Sequence, residues 1–402
     1  MTLMLIFAAV LLFAVLISAR ADRSVVSTAV LFLLAGFVLS DGMLSLVVLT
    51  PDDKSIALLA ELALFSVLFT DGMRVGLRDL ASAWKLPGRA LFFGLPLTLL
   101  FIAILAHWIA GLTWLESFLL GAVLSPTDPV FAAAIVGREE VPKRLRQLLN
   151  IESGLNDGLA LPIVVILLAI ARSDTVHYGV IGGEIALGIV IGVLLPLVAI
   201  RLERSRHFGT HHSYALLYAF AIGLLVLGTT SLSRANEFLA AFAAGITIAT
   251  VGPKVREAFH QFGDLVAELL KLAALLVFGA LMSPKFFAEV PWNGYVFAVL
   301  VLVIVRPAAL VIALYGSPLD WRERAAAAWF GPKGFASVVF GLLVLNSGIP
   351  QANEIFHLAA IVIAGSIIAH SSTDVVVARW FQHPKPSVEQ DPPLDVHVDN
   401  VQ

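Results

Sequence analysis

Cysteine is missing from all 402 residues, which excludes disulfides, thiolate nucleophiles and cysteine-based metal centres. Charge is scarce too. Asp, Glu, Lys and Arg make up 14% of the chain, against about 25% in soluble domains. The net charge of -3 is too small to favour a charged partner, and no basic cluster resembles a nucleic-acid surface. No nucleic-acid partner is expected. His357 and His370 are single, and His211 and His212 sit in a polar loop, so zinc-type spacing is absent. Neither His-Glu-x-x-His nor Gly-x-Ser-x-Gly occurs. The expectation is a protein that is not an enzyme and carries no cofactor.

What the chain has instead is apolar length. It is 59% hydrophobic with a mean hydropathy of +0.92, which points to an all-α polytopic membrane protein. Runs able to cross a ~30 Å hydrocarbon core at about 1.5 Å per residue recur throughout. They fall near residues 2–19, 25–40, 55–71, 87–109, 115–136, 148–171, 178–200, 213–230, 235–251, 264–283, 295–315, 322–345 and 353–379, about thirteen transmembrane helices. Arg20 and Arg23 follow the first apolar run rather than precede it, so that run reads as a retained helix and not a cleaved signal. Lys and Arg then gather in alternate connections, leaving only Lys54, Arg172, Arg234 and Lys285 on the other side. The positive-inside rule predicts a cell-membrane protein with its N-terminus outside and its C-terminus cytoplasmic. Residues 382–402 are polar and Pro-rich and read as a disordered cytoplasmic tail, with no further soluble domain attached.

Two spans contain breaks. The fifth holds "LSPTDPVF", with Pro126 and Pro129 around Thr127 and Asp128; the twelfth holds "FGPKGFAS", with Gly331, Pro332 and Gly334 around Lys333. Proline removes a backbone donor and clashes with the preceding turn, so neither helix passes through intact. Freed backbone groups cannot face lipid, and paired breaks in two halves mark the site of a secondary transporter. Spans five and twelve are an odd number apart and cross in opposite directions. An inverted-topology repeat follows, spans one to six against eight to thirteen.

Asp128, Glu152, Asp157, Arg306 and Lys333 fall near the centre or inner third of their spans, where a charge costs about 3 kcal/mol on insertion scales. In "NIESGLNDG", Ser153 and Asp157 are four apart and share a helical face. Glu152 points roughly 140° away from Asp157, at about 100° per residue. Asp157, Ser153, Thr127 and Asp128 together offer the hard oxygen shell that suits an alkali cation. Desolvation favours the protonated form of a carboxylate, so such a site holds a proton or a cation but not both. Arg306 reads as the fixed partner of Glu152, because guanidinium binds carboxylate bidentately. Lys333 is placed to offset the carbonyl ends of the broken helices; for both bases a purely structural counter-charge is the competing reading. Glu61, Glu184, Glu268, Lys271 and Asp374 carry less weight, Glu268 and Lys271 being paired locally at i,i+3, and Asp71 and Glu237 read as end-of-helix residues.

"SPTDP", "ESGLND", the "RP" span and the "GPKG" break together resemble the monovalent cation:proton antiporters of the sodium/proton exchanger type. The resemblance implies a dimerisation domain (1–75 and 211–285), a transport core (84–172 and 294–381) joined by a linker helix (175–206), and a homodimer in which the core moves as an elevator. It implies Asp157 as the ion- and proton-binding carboxylate, with Asp128, Thr127 and Ser153 as site residues. Glu152 and Asn156 would then be structural support, with Arg306 pairing Glu152. Asn156-Asp157 resembles the Asn-Asp pair of the electroneutral branch, which exchanges one Na+ or K+ for one H+. Lys333 departs from the Arg that many relatives carry, which leaves open which base serves Glu152. Two other classes compete: an inverted-repeat symporter of an organic anion, because broken-helix N-termini favour anions, and an intramembrane enzyme using paired aspartates.

Overall fold

In a bilayer interior backbone exposed to lipid must bond within its own segment or a closed sheet; the regular elements of the described residues are all helices, with non-helical stretches buried between them. The computed structural model describes residues 2–21, 28–46, 49, 53–74, 85–128, 138, 140–172, 178–209, 211 and 214–381. The second half of the expected fifth span with Pro129, His212 and the tail 382–402 lie outside them.

In chain order the helices are α1 (Thr2–Ala21), α2 (Thr28–Leu39), α3 (Lys54–Arg74), α4 (Lys85–Ala110), α5 (Trp114–Leu124), α6 (Lys143–Arg172), α7 (Tyr178–Glu203), α8 (Ala215–Ser233), α9 (Glu237–Val251) and α10 (Pro253–Leu281). They continue with α11 (Pro284–Glu289), α12 (Trp292–Ala313), α13 (Trp321–Trp329), α14 (Phe335–Leu345) and α15 (Ala352–Ala378). By length and composition, seven of the described helices suffice to cross a membrane: α3, α4, α6, α7, α8, α12 and α15. An eighth follows if α9 and the start of α10, bent by 117°, form one span.

Two helix starts differ most from the hydropathy reading. α10 begins at Pro253 rather than near 264, because its first turns are amphipathic. Val255 and Phe259, four apart, are buried, whereas Lys254 and Glu257 are exposed. An apolar window passes over such a stretch, although proline at the first helical position marks it. α6 begins at Lys143 rather than 148. Its first turn is held by Arg144, which grips Glu323 through Nε (2.6 Å) and Nη2 (2.5 Å).

The helices pack in two groups. α2, α3, α8, α9 and α10 form one, with α1 against α2 and α7 along α9; α4, α5, α6, α12, α13, α14 and α15 form the other. The first group is joined backbone to backbone. Gly36 of α2 lies against Gly279 of α10, and Gly72 of α3 against Gly245 of α9, so closely that a Cβ at any of them meets main-chain atoms. Small residues let membrane helices approach this way. The two groups meet where α6 and α14 face α3, α9 and α10.

Candidate ion-binding site

Helix stops at Leu124 and again at Trp329, and the two irregular stretches that follow meet. Ser125–Asp128 is non-helical, with Pro126 at its start, and Phe330–Gly334 separates α13 from α14 around Pro332. The Asp128 amide donates to the Pro332 carbonyl at 2.9 Å, and the Phe335 amide, in the first turn of α14, donates to Asp128 Oδ2 at 3.5 Å. A carboxylate at a helix N-terminus meets unsatisfied amides and the positive end of the helix dipole. Gly334 is required by this approach, since a Cβ there falls on the Asp128 side chain. Gly334→Ala is expected to cost about 1–3 kcal/mol through overpacking, read as a lowered thermal midpoint of the detergent-solubilised protein by tryptophan fluorescence.

The freed carbonyls of the second break find partners. Arg306 Nη2 donates to the carbonyls of Phe330 (2.9 Å) and Ala327 (3.4 Å). His370 of α15 bridges the stretch, with Nε2 2.9 Å from the Trp329 carbonyl and Nδ1 2.7 Å from that of Ser366. The Lys333 amide donates to Ser366 Oγ at 2.8 Å. The sequence reading set His370 aside as a lone histidine; it ties α15 to the break instead.

α6 stays helical through residues 151–158 and presents its polar groups in different directions. Glu152 turns to α12, where Arg306 Nη1 and Nη2 donate to its two oxygens at 2.7 and 3.1 Å, all of it buried. Asn156 turns to the first break, its amide donating to Thr127 Oγ1 (2.7 Å) and the Thr127 carbonyl (3.2 Å). Ser153 Oγ donates to the Leu149 carbonyl at 2.6 Å and keeps lone pairs to offer. Asp157 is only 5% exposed, and its Oδ1 has no hydrogen-bond partner among the described residues; Asn156 Oδ1 is in the same state. Unsatisfied buried acceptors are rare in folded proteins, and each calls for an explanation. An alkali cation or a proton on the carboxylate supplies one.

Of the expected residues, Thr127 joins Asn156, Glu152 joins Arg306, and Asp128 joins the Pro332–Phe335 turn. Lys333 does not take Glu152: its Nζ is buried with no hydrogen-bond partner among the described residues, while Arg306 occupies both carboxylate oxygens.

One residue was misjudged from sequence, and the surroundings of a second were missed. Lys271 of α10, read as a local partner of Glu268, places its Nζ 3.7 Å from Asp128 Oδ2, 7% exposed. Asp71, read as an end-of-helix residue, does lie in the last turn of α3, where it is buried, binds Arg74 at 3.1 Å and lies within electrostatic reach of Asp157. The signal for Lys271 was its depth, near the middle of a predicted span, and a nearby acid at i,i+3 obscured it.

Comparison with known proteins agrees with this architecture. The family model described as "Sodium/hydrogen exchanger, transmembrane" matches residues 7–380. A K+/H+ antiporter NhaP of Alkalimonas amylolytica is 25% identical over 358 residues, covering 85% of this chain and 61% of that protein. A K+/H+ antiporter NhaP2 of Shewanella baltica is 26% identical over 337 residues, 82% of this chain and 58% of its own length. The chain thus spans about three fifths of the length of these curated relatives. The solved structure of the sodium proton antiporter MjNhaP1 from Methanocaldococcus jannaschii superimposes with a TM-score of 0.78 at 18% identity, covering 94% of this chain and 99% of that one, and so shares the fold. With the model matched along nearly its whole length, the chain belongs to the sodium/hydrogen exchanger family.

Proposed function

We propose that the protein exchanges Na+ or K+ for H+ across a cell membrane, the two cargoes competing for Asp157. The observation that carries this is the buried Asp157 carboxylate with an unpartnered oxygen, beside the meeting point of two unwound segments. Asp157, Ser153, Asp128 and Thr127 supply the oxygens. Glu152 with Arg306, and Asn156 on Thr127, hold the segments that present them. The names of the relatives support both alkali cations. One proton replaces one cation, so exchange is electroneutral, as the Asn156-Asp157 pair suggests.

On this reading the chain crosses the membrane thirteen times, with spans five and twelve broken and related by the inverted repeat. α13 and α14 are the two halves of span twelve. The helices of 1–75 and 211–285 form the scaffold of a homodimer, those of 84–172 and 294–381 the transport core, and 175–206 the linker. The core moves as an elevator, N-terminus outside and C-terminus cytoplasmic. The packing of the helices into two groups supports this division. An organic-anion symporter is disfavoured because the first turn of α14, its natural anion seat, already receives Asp128.

The test is proton flux in proteoliposomes bearing a pH gradient. Addition of Na+ or K+ as an impermeant-anion salt is expected to dissipate the gradient without any organic solute. A requirement for an organic anion, or no response to any alkali cation, sinks the proposal.

A further inference from the structure

Among the described residues, the ammonium that the structure brings to Asp128 comes from the opposite group of helices. Lys271 stands on α10, and its Nζ reaches Asp128 Oδ2 at 3.7 Å across the boundary, both side chains being less than a tenth exposed. We infer that Lys271 is a tethered competitor of the transported cation: in the unloaded site its ammonium occupies the place on Asp128 that an alkali ion takes. The inference rests on the proposed exchange and adds a residue that sets cation affinity.

The surroundings fit this role better than that of a permanent structural pair. Asp128 already has a fixed partner in the α14 amide, whereas Glu152 has its arginine. The charged groups facing Lys271 are Asp128 and Asp157 from the core, Asp71 and Arg74 from α3, and Glu268 on its own helix, with Asp264 beyond, bound to Arg74. Acids outnumber bases here, so one mobile cation is welcome. Two within about 4 Å repel strongly even at the effective dielectric of a protein interior. An alkali ion on Asp128 and Asp157 therefore requires the Lys271 ammonium to withdraw, and its flexible four-carbon stem permits that. Cation binding therefore releases a contact that otherwise ties the two helix groups together.

The experiment measures the half-saturating Na+ and K+ concentrations for cation-driven proton flux in proteoliposomes of the full chain, for the native protein, Lys271→Met and Lys271→Arg. Lys271→Met, of similar length but uncharged, is expected to lower half-saturation about tenfold, a coupling in the range usual for linked sites. Lys271→Arg keeps the charge and is expected to stay at or above the native value. An unchanged or raised half-saturation in Lys271→Met, or a lowered one in Lys271→Arg, overturns the inference. If Lys271→Met does not fold, Lys271→Gln replaces it, read by the cation concentration that half-maximally raises the thermal midpoint in detergent. A native protein that exchanges no alkali cation refutes the proposed function instead, so the two failures are told apart.

Discussion

Proteoliposomes carrying Asp157→Asn are expected to hold a pH gradient through a Na+ or K+ pulse that collapses it in vesicles of the native protein. The expected loss is to background, about 100-fold or more, because the change removes the charge that binds the cation and the acid that carries the proton in one step. Asparagine matches aspartate in shape, so the packing of this buried position on α6 is retained. The thermal midpoint in detergent is expected to be unchanged or higher, since a desolvated carboxylate with an unpartnered oxygen is removed. Loss of flux together with loss of folding would make Asp157 structural. Full coupled exchange in Asp157→Asn would remove the residue from the site.

Arg306→Ala is expected to destabilise the protein by about 3–5 kcal/mol, the usual cost of stripping one member from a buried pair. It strands Glu152, 5% exposed, and deprives the carbonyls of Phe330 and Ala327 of their donor. Gly331 lies directly against the guanidinium, so the break between α13 and α14 loses its packing as well. The double variant Glu152→Met with Arg306→Met leaves no charge unpaired and is expected to recover more than half of the loss. Thermal midpoints of the two variants and the native protein in detergent decide it. Equal losses in the single and double variants would mean that Arg306 acts through the break's carbonyls rather than through Glu152.

Much of this was legible because local rules suffice for it. Helical periodicity alone placed Glu152 and Asp157 on different faces of α6, and the structure turns Glu152 to Arg306 and leaves an Asp157 oxygen unpartnered. Proline and glycine announced the irregular stretch before α14. What it meets was not legible: that the Asp128 amide seeks the Pro332 carbonyl is a fact about chain segments some two hundred residues apart. Lys271 was misread for the same reason, since i,i+3 spacing supplied an acid nearby whereas the true partner arrives from another helix group. The start of α10 was lost to an apolar criterion applied to an amphipathic stretch. Asp71 was set aside because position along a helix says nothing about what packs over its end.

The contact between Gly158 of α6 and the ring of Phe242 on α9 has a mechanical consequence. Elsewhere helices lock by ridges seated in grooves, and translating one past another means lifting each ridge out. Here the Phe242 ring, packed with Leu91, Ile151 and Leu155, closes onto main chain at Gly158. On the proposed exchange, any displacement of α6 past α9 carries this ring along main chain, and a side chain at position 158 would stand in its way.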